Sequence, residues 1–280
     1  MRARKSATLA ASALVLALTA TACGSDDSNG GSSDGGDSKD TLTIGIKYDQ
    51  PGLGLQTADN DFTGFDVDIA RYVAAELGVE EDDITWRQAQ SPERENMLKN
   101  GDVDFIVATY SITDQRKEEV SFAGPYFVAA QDLLMRSGES ISSEDEIGDL
   151  NLCSVSGSTS AQKIQDTIAP DANLQPYGGY SECLTGLENG AVDALTTDNT
   201  ILAGYAAQDE HQGKFELAGL DLGPENYGIG IPKDDTELQE KINAALEKMI
   251  EDGAWAEAVE KNLGPAGFEV PDAPEVTEGK

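Results

Sequence analysis

Basic side chains are scarce in this chain: 19 Lys and Arg stand against 52 Asp and Glu, for a formal net charge of -33. A surface of that sign repels phosphate backbones and anionic headgroups, which excludes nucleic acid as a partner. It also sets a contrast, because basic residues gathered in one place here need a reason. Histidine is scarcer still. His211 is the only one, and it lies in the polar run Gln208-Asp209-Glu210-His211-Gln212-Gly213. With two spare cysteines and one histidine, no ligand cluster for a metal emerges, and neither metal nor cofactor is expected. No apolar run reaches the roughly 20 residues that a membrane-spanning helix needs.

The longest apolar run, residues 9–18, follows Arg2, Arg4 and Lys5 and precedes Ala20-Thr21-Ala22-Cys23-Gly24. That order is the layout of an export signal, and its end resembles a lipobox, with Ala20 where the pattern usually has Leu. Residues 1–22 are therefore expected to be a lipoprotein signal peptide, with diacylglycerol on the Cys23 sulfur; the plainer alternative is a secretory peptide that leaves a thiol. Residues 23–40 hold Gly, Ser, Asp and Asn without a large apolar side chain, the composition of a flexible tether. The expected location is the extracellular face of the cytoplasmic membrane, held by the lipid. Cys153 and Cys183 are then an even pair in an exported domain and read as a disulfide. On the chain-entropy model it would stabilise the fold by roughly 3–4 kcal/mol.

The rest alternates strand and helix. Thr41-Leu42-Thr43-Ile44-Gly45-Ile46 reads as a strand. Asp66 reads as the N-cap of a helix with apolar positions Ala70, Val73, Ala74 and Leu77 and a stop at Gly78. After a second strand at Ile84-Thr85-Trp86, Ser91-Pro92 opens a helix that Gly101 closes. Arg94 in its first turn opposes the helix dipole, which marks it either as functional or as a solvated surface arginine. A third strand, Asp104-Phe105-Ile106-Val107-Ala108, runs into Thr109, Ser111, Thr113 and Arg116. Hydroxyls, helix-start N–H groups and a guanidinium beyond a strand's carboxyl end form a receiver for a carboxylate, or else a polar turn before a surface arginine. The pattern restarts at Asn151 with strands near 151–155 and 192–196 and helices after Ser158 and Glu182. Asp198 caps a further helix, alone or while also meeting a cation. A strand at 227–232 and two amphipathic helices rejoin the first unit. The reading is α/β with largely parallel sheets, two units and two chain crossings that make a hinge.

Three stretches carry a resemblance: Gly64-Phe65-Asp66-Val67-Asp68-Ile69-Ala70, the run from Val107 through Arg116, and Lys233-Asp234-Asp235-Thr236-Glu237-Leu238. They resemble the family 3 solute-binding proteins of polar amino-acid ABC importers. Lys47-Tyr48-Asp49-Gln50-Pro51-Gly52-Leu53-Gly54-Leu55, Leu152-Cys153-Ser154-Val155-Ser156-Gly157-Ser158-Thr159 and Val192-Asp193-Ala194-Leu195-Thr196-Thr197-Asp198 look like the glutamate-binding lipoproteins of that family. The resemblance covers about residues 41 to 264. It implies a two-lobed periplasmic-binding-protein-like fold (type II). Each lobe would be a mostly parallel sheet flanked by helices, and a two-crossover hinge would join them. Lobe 1 would hold residues 41–130 and 226–264, lobe 2 residues 131–225, and residues 265–280 a loosely ordered tail.

The resemblance further implies that Arg116 takes an α-carboxylate with Thr109, Ser111 and Thr159, and that Asp198 takes the α-ammonium. Lys47 and Arg94 would read the far end of the ligand, with Ser158 and Tyr180 adding contacts. Two basic residues at that end suit a γ-carboxylate, so the expected ligand is glutamate, delivered to an ABC permease by a monomeric receptor. The plainer alternative for Lys47 is a surface lysine at a strand end. The alternatives are a broader binder of aspartate, glutamine or asparagine, a cyclohexadienyl dehydratase-like enzyme on the same fold, and a receptor's sensor domain. The dehydratase lacks an evident acid or base, and the sensor lacks a transmembrane helix.

Overall fold

A computed structural model describes residues 39–280. The signal-peptide reading, Cys23 and residues 23–38 of the tether reading lie outside them. Strand β1 (Leu42–Ile46) buries Leu42, Ile44 and Ile46. A small antiparallel ribbon follows, made of β2 (Asp49–Gln50), β3 (Gly54–Gln56) and β4 (Phe62–Thr63). Helix α1 (Phe65–Glu76) turns Phe65, Ile69, Ala70 and Val73 into the core, and the chain leaves it through Gly78 at φ +86°. Then come β5 (Ile84–Gln88), α2 (Arg94–Asn100), β6 (Phe105–Ile106) and α3 (Asp114–Glu119). The 16-residue β7 (Ser121–Arg136) leads into the second lobe. That lobe contains β8 (Asn151–Val155), α4 (Thr159–Lys163), β9 (Asn173–Tyr177), α5 (Tyr180–Glu188), β10 (Ala194–Asp198), α6 (Asn199–Ala206) and β11 (Phe215–Leu217). Strand β12 (Pro224–Ile231) returns, and α7 (Thr236–Glu251) and α8 (Ala254–Leu263) pack on the first lobe against α1.

The strands run in the order β5-β1-β6-β12-β7-β10-β8-β9, with β11 also on β7. Within the first lobe β1 is parallel to β5 and β6; within the second β8 is parallel to β9 and β10. Between them lie β7 and β12, antiparallel to each other. They are the two crossings. The fold is thus the two-lobed α/β architecture that the strand–helix alternation predicts. A disulfide joins Cys153 in β8 to Cys183 in α5, with Cα atoms 5.6 Å apart.

Three local expectations change. Asp66 does not cap α1: Gly64 holds that position, and Asp66 is fully buried inside the first turn. Ser91 does not cap α2 either, because a short 3-10 turn, Ser91–Glu93, precedes the helix. The tail is docked rather than loose. Val276 is buried, and the N–H groups of Thr277 and Glu278 donate to Gly124 O at 2.8 and 2.9 Å. Asn243 Nδ2 donates to Glu278 O at 2.7 Å, and Lys117 pairs with the Glu278 carboxylate at 2.7 Å. One apolar anchor plus backbone hydrogen bonds leaves no periodicity for a sequence to display. Among the described residues, no helix is long and apolar enough to cross a membrane.

Candidate functional site

The predicted site residues sit at strand carboxyl ends or on the turns and helices that follow them, where open α/β sheets hold their ligands. Beyond β6 the chain passes Thr109 at φ +45°, a conformation that costs a β-branched residue. Asp66 holds it there. Its Oδ2 accepts the Thr109 N–H at 2.9 Å, and its Oδ1 accepts the Tyr126 hydroxyl at 2.7 Å. Burial lifts the Asp66 carboxyl to about 6, against those two hydrogen bonds, which favour its ionised form. Thr113 then caps α3 by accepting the Arg116 N–H at 3.1 Å. That aims the Arg116 side chain back across the turn, where Nη1 donates to Ser111 O at 2.7 Å.

Arg94 and Arg116 share one aromatic face-holder. Each guanidinium carbon lies 4.9 Å from the centroid of the Tyr110 ring. The Tyr110 hydroxyl donates to Glu95 at 2.7 Å, and the same carboxylate stands 3.6 Å from Arg116 Nε. Burial pushes the Tyr110 hydroxyl far up, so it remains a donor. Arg94 Nε donates to Ala89 O at 3.2 Å. Arg94 is 2% exposed, which removes the reading of a solvated surface arginine. Glu95 and Tyr110 were not legible from the sequence.

In the second lobe Ser158 caps α4, accepting the Ala161 N–H at 3.0 Å. Tyr180 begins α5, and burial raises its hydroxyl to about 12. Asp198 ends β10 at the N-cap position of α6 but makes no capping bond. Its Oδ2 accepts the Tyr227 hydroxyl at 2.7 Å, while Oδ1 is buried with no hydrogen-bond partner among the described residues. Burial, with the nearby Glu225 charge, raises the Asp198 carboxyl to about 7. A helix cap would have spent that oxygen on a backbone N–H, which Asp198 does not do.

The lobes meet around these groups. Arg116 Nη2 donates to Gly157 O at 3.2 Å, the Ser111 and Thr159 hydroxyls are 3.3 Å apart, and Gln162 Nε2 donates to Gln115 Oε1 at 3.2 Å. They enclose a tight cavity of about 10 Å³ lined by Arg94, Thr109, Ser111, Arg116, Ser158, Thr159, Tyr180 and Asp198, together with Ser91 and Ile201. Ser91 and Ile201 carry no signal in the sequence beyond a helix start and an apolar helix face. Lys47 lies just outside that lining, 1% exposed, with Nζ 5.9 Å from the centroid of the Tyr180 ring. Among the described residues its Nζ has no hydrogen-bond partner, and burial lowers its pKa, with Asp49 opposing that shift and Arg94 adding to it. A larger hollow of about 610 Å³ beside Tyr48, Trp86 and Arg87 is more open, and its charged lining is one arginine with Glu93 and Asp102.

The family model for bacterial extracellular solute-binding proteins, family 3, matches residues 42–265. The chain belongs to that family. It is 48% identical to the glutamate-binding protein GluB of Corynebacterium efficiens, over 91% of this chain and 90% of that protein. It is 38% identical to the ABC transporter glutamine-binding protein GlnH of Bacillus subtilis, over 92% of this chain and 97% of that one. Among solved structures, an ancestral arginine-binding protein bound to glutamine superposes with a TM-score of 0.74 at 32% identity. The match covers 81% of this chain and 99% of that one. The chain is an amino-acid-binding protein of the ABC-transporter type, and the names of its relatives point to a receptor rather than an enzyme.

Proposed function

We propose that this receptor captures L-glutamate between its lobes and delivers it to the permease of an ABC importer. In this reading Arg116, with Thr109, Ser111 and Thr159, receives the α-carboxylate. Asp198 takes the α-ammonium, and Arg94 with Lys47 meets the γ-carboxylate beside Ser158 and Tyr180. One observation carries the preference for a dianionic ligand. In a chain of net charge -33, Lys47 and Arg94 are buried together, and the lysine ammonium has no hydrogen-bond partner among the described residues. Asp49 Oδ1, 3.4 Å from that ammonium, is one carboxylate against two buried cations, and under-compensated buried charge is costly, so the pair favours a ligand that brings an anion of its own. The GluB relative supports the same ligand.

A second reading, a glutamine or broader amide and acidic amino-acid binder, draws on the GlnH relative. An amide oxygen could still accept from Lys47, but it brings no charge. Lys47→Ala and Arg94→Ala separate the two. Isothermal titration is expected to show glutamate affinity falling by roughly 30-fold or more, with glutamine affinity falling several times less. Equal losses for both ligands would sink the assignment of these residues to the side-chain end.

The lobe assignment of residues 41–130 and 226–264 against 131–225, with β7 and β12 between them, gives closure by hinge motion. We place the receptor outside the cytoplasmic membrane, anchored through a lipid on Cys23. Metabolic labelling with a tagged fatty acid is expected to mark the wild type and leave Cys23→Ala unlabelled; label on both proteins would refute the anchor.

A further inference from the structure

Among the described residues, one anion lies within reach of Lys47. Asp49 Oδ1 stands 3.4 Å from Nζ, buried and without a hydrogen bond to any described residue. The two residues are neighbours on the first lobe, yet the carboxylate is gripped by the second. Ser181 Oγ donates to Asp49 Oδ2 at 3.2 Å. Gly179 makes room for it, since a Cβ there would lie 2.8 Å from that oxygen. Just beyond, the Tyr205 hydroxyl donates to the Asp49 backbone carbonyl, and a Cβ on Gly204 would collide with Pro51 O. Asp49, carried on β2 of the first lobe, is thus contacted by the second lobe through both its carboxylate and its backbone carbonyl. The groups facing the ammonium are Asp49, Arg94 and the Tyr180 ring.

Resting on the glutamate reading of the cavity, we propose that Asp49 is a specificity-determining residue. Clamped by Gly179 and Ser181 on closure, its carboxylate is a built-in counter-ion for Lys47 that limits the preference for a ligand with a second carboxylate. Two opposing effects follow. A γ-carboxylate near Lys47 also meets the Asp49 charge, which weakens glutamate. A neutral amide leaves Lys47 with Asp49 as its compensation, which rescues glutamine. The residue thus narrows the gap between the two ligands from both sides.

Asp49→Asn tests this, because Asn keeps the size of the side chain and an oxygen for Ser181 but removes the charge. Titration of the purified protein is expected to give tighter glutamate, weaker glutamine and a ratio Kd(glutamine)/Kd(glutamate) raised about tenfold or more over wild type. Ser181→Ala, which frees the carboxylate to turn away, is expected to shift the ratio the same way by less. A merely structural Asp49 would weaken both ligands equally. An unchanged or lowered ratio in a folded Asp49→Asn protein overturns the proposal, and if that variant does not fold, an unchanged ratio in Ser181→Ala does so. Wild-type protein that binds neither ligand would instead remove the reading of the cavity on which the proposal rests, and the proposal with it.

Discussion

Replacing Arg116 with alanine is expected to abolish amino-acid binding, with Kd rising a hundredfold or more for glutamate and glutamine alike. The guanidinium is the main cation at the hydroxyl-lined end of the cavity, where Ser111 and Thr159 face each other. Removing one partner of a buried, hydrogen-bonded charge pair costs about 2–5 kcal/mol. Arg116 does a second thing that adds to the loss, because its Nη2 donates to Gly157 O across the cleft. The alanine variant therefore loses a ligand contact and a lobe-to-lobe contact at once. Calorimetry and a glutamate-induced shift in melting temperature check this. A variant that binds either ligand within a factor of ten of wild type would show that the α-carboxylate is held elsewhere.

Asp198→Asn has the next largest expected effect, and it separates binding from folding. The amide keeps an acceptor for the Tyr227 hydroxyl but loses the charge that would face the ligand ammonium, so affinity is expected to fall roughly 30-fold or more. Stability should move the other way. The carboxyl's ordinary value is 3.8, and burial with Glu225 raises it to about 7 in the fold. The unfolded chain ionises first, so as pH rises from about 4 to about 7 this group takes stability away from the folded protein. Without added ligand, the asparagine variant should therefore melt higher than wild type at pH 8 and show little gain at pH 4. A ligand ammonium offsets the buried charge, so the melting-temperature gain from glutamate in wild type should be larger at pH 8 than at pH 5. In Asp198→Asn that difference should shrink. Unfolding of the variant would instead mean that the side chain serves the fold first.

Part of this site could be read from the sequence because it depends on neighbours in the chain. The Thr113 cap and the position of Arg116 follow from adjacent residues. So does the placement of Ser158 and Asp198 at strand ends, since turn chemistry is local. Other features depend on partners far away in sequence. Asp66 has the profile of an N-cap, but its oxygens go to Thr109 and Tyr126, 43 and 60 residues on. Glu95 is one more acid in an acidic chain until the Tyr110 hydroxyl and Arg116 are placed beside it. Asp49 looks like part of a polar loop, and its grip on Ser181 spans 132 residues. Lys47 gained its role through family resemblance, because a lysine after a strand has no local mark of burial. The docking of the tail escapes the sequence for the same reason: its hydrogen bonds go to Gly124 and Asn243, and nothing in its own composition announces them.

The most direct test of the central claim is calorimetric titration of the purified protein with glutamate, aspartate, glutamine and asparagine. The account predicts that glutamate binds tightest, with glutamine clearly weaker, because only glutamate brings a second charge to Lys47 and Arg94 at the right length. Glutamine binding as tightly as glutamate, or tighter, would contradict it.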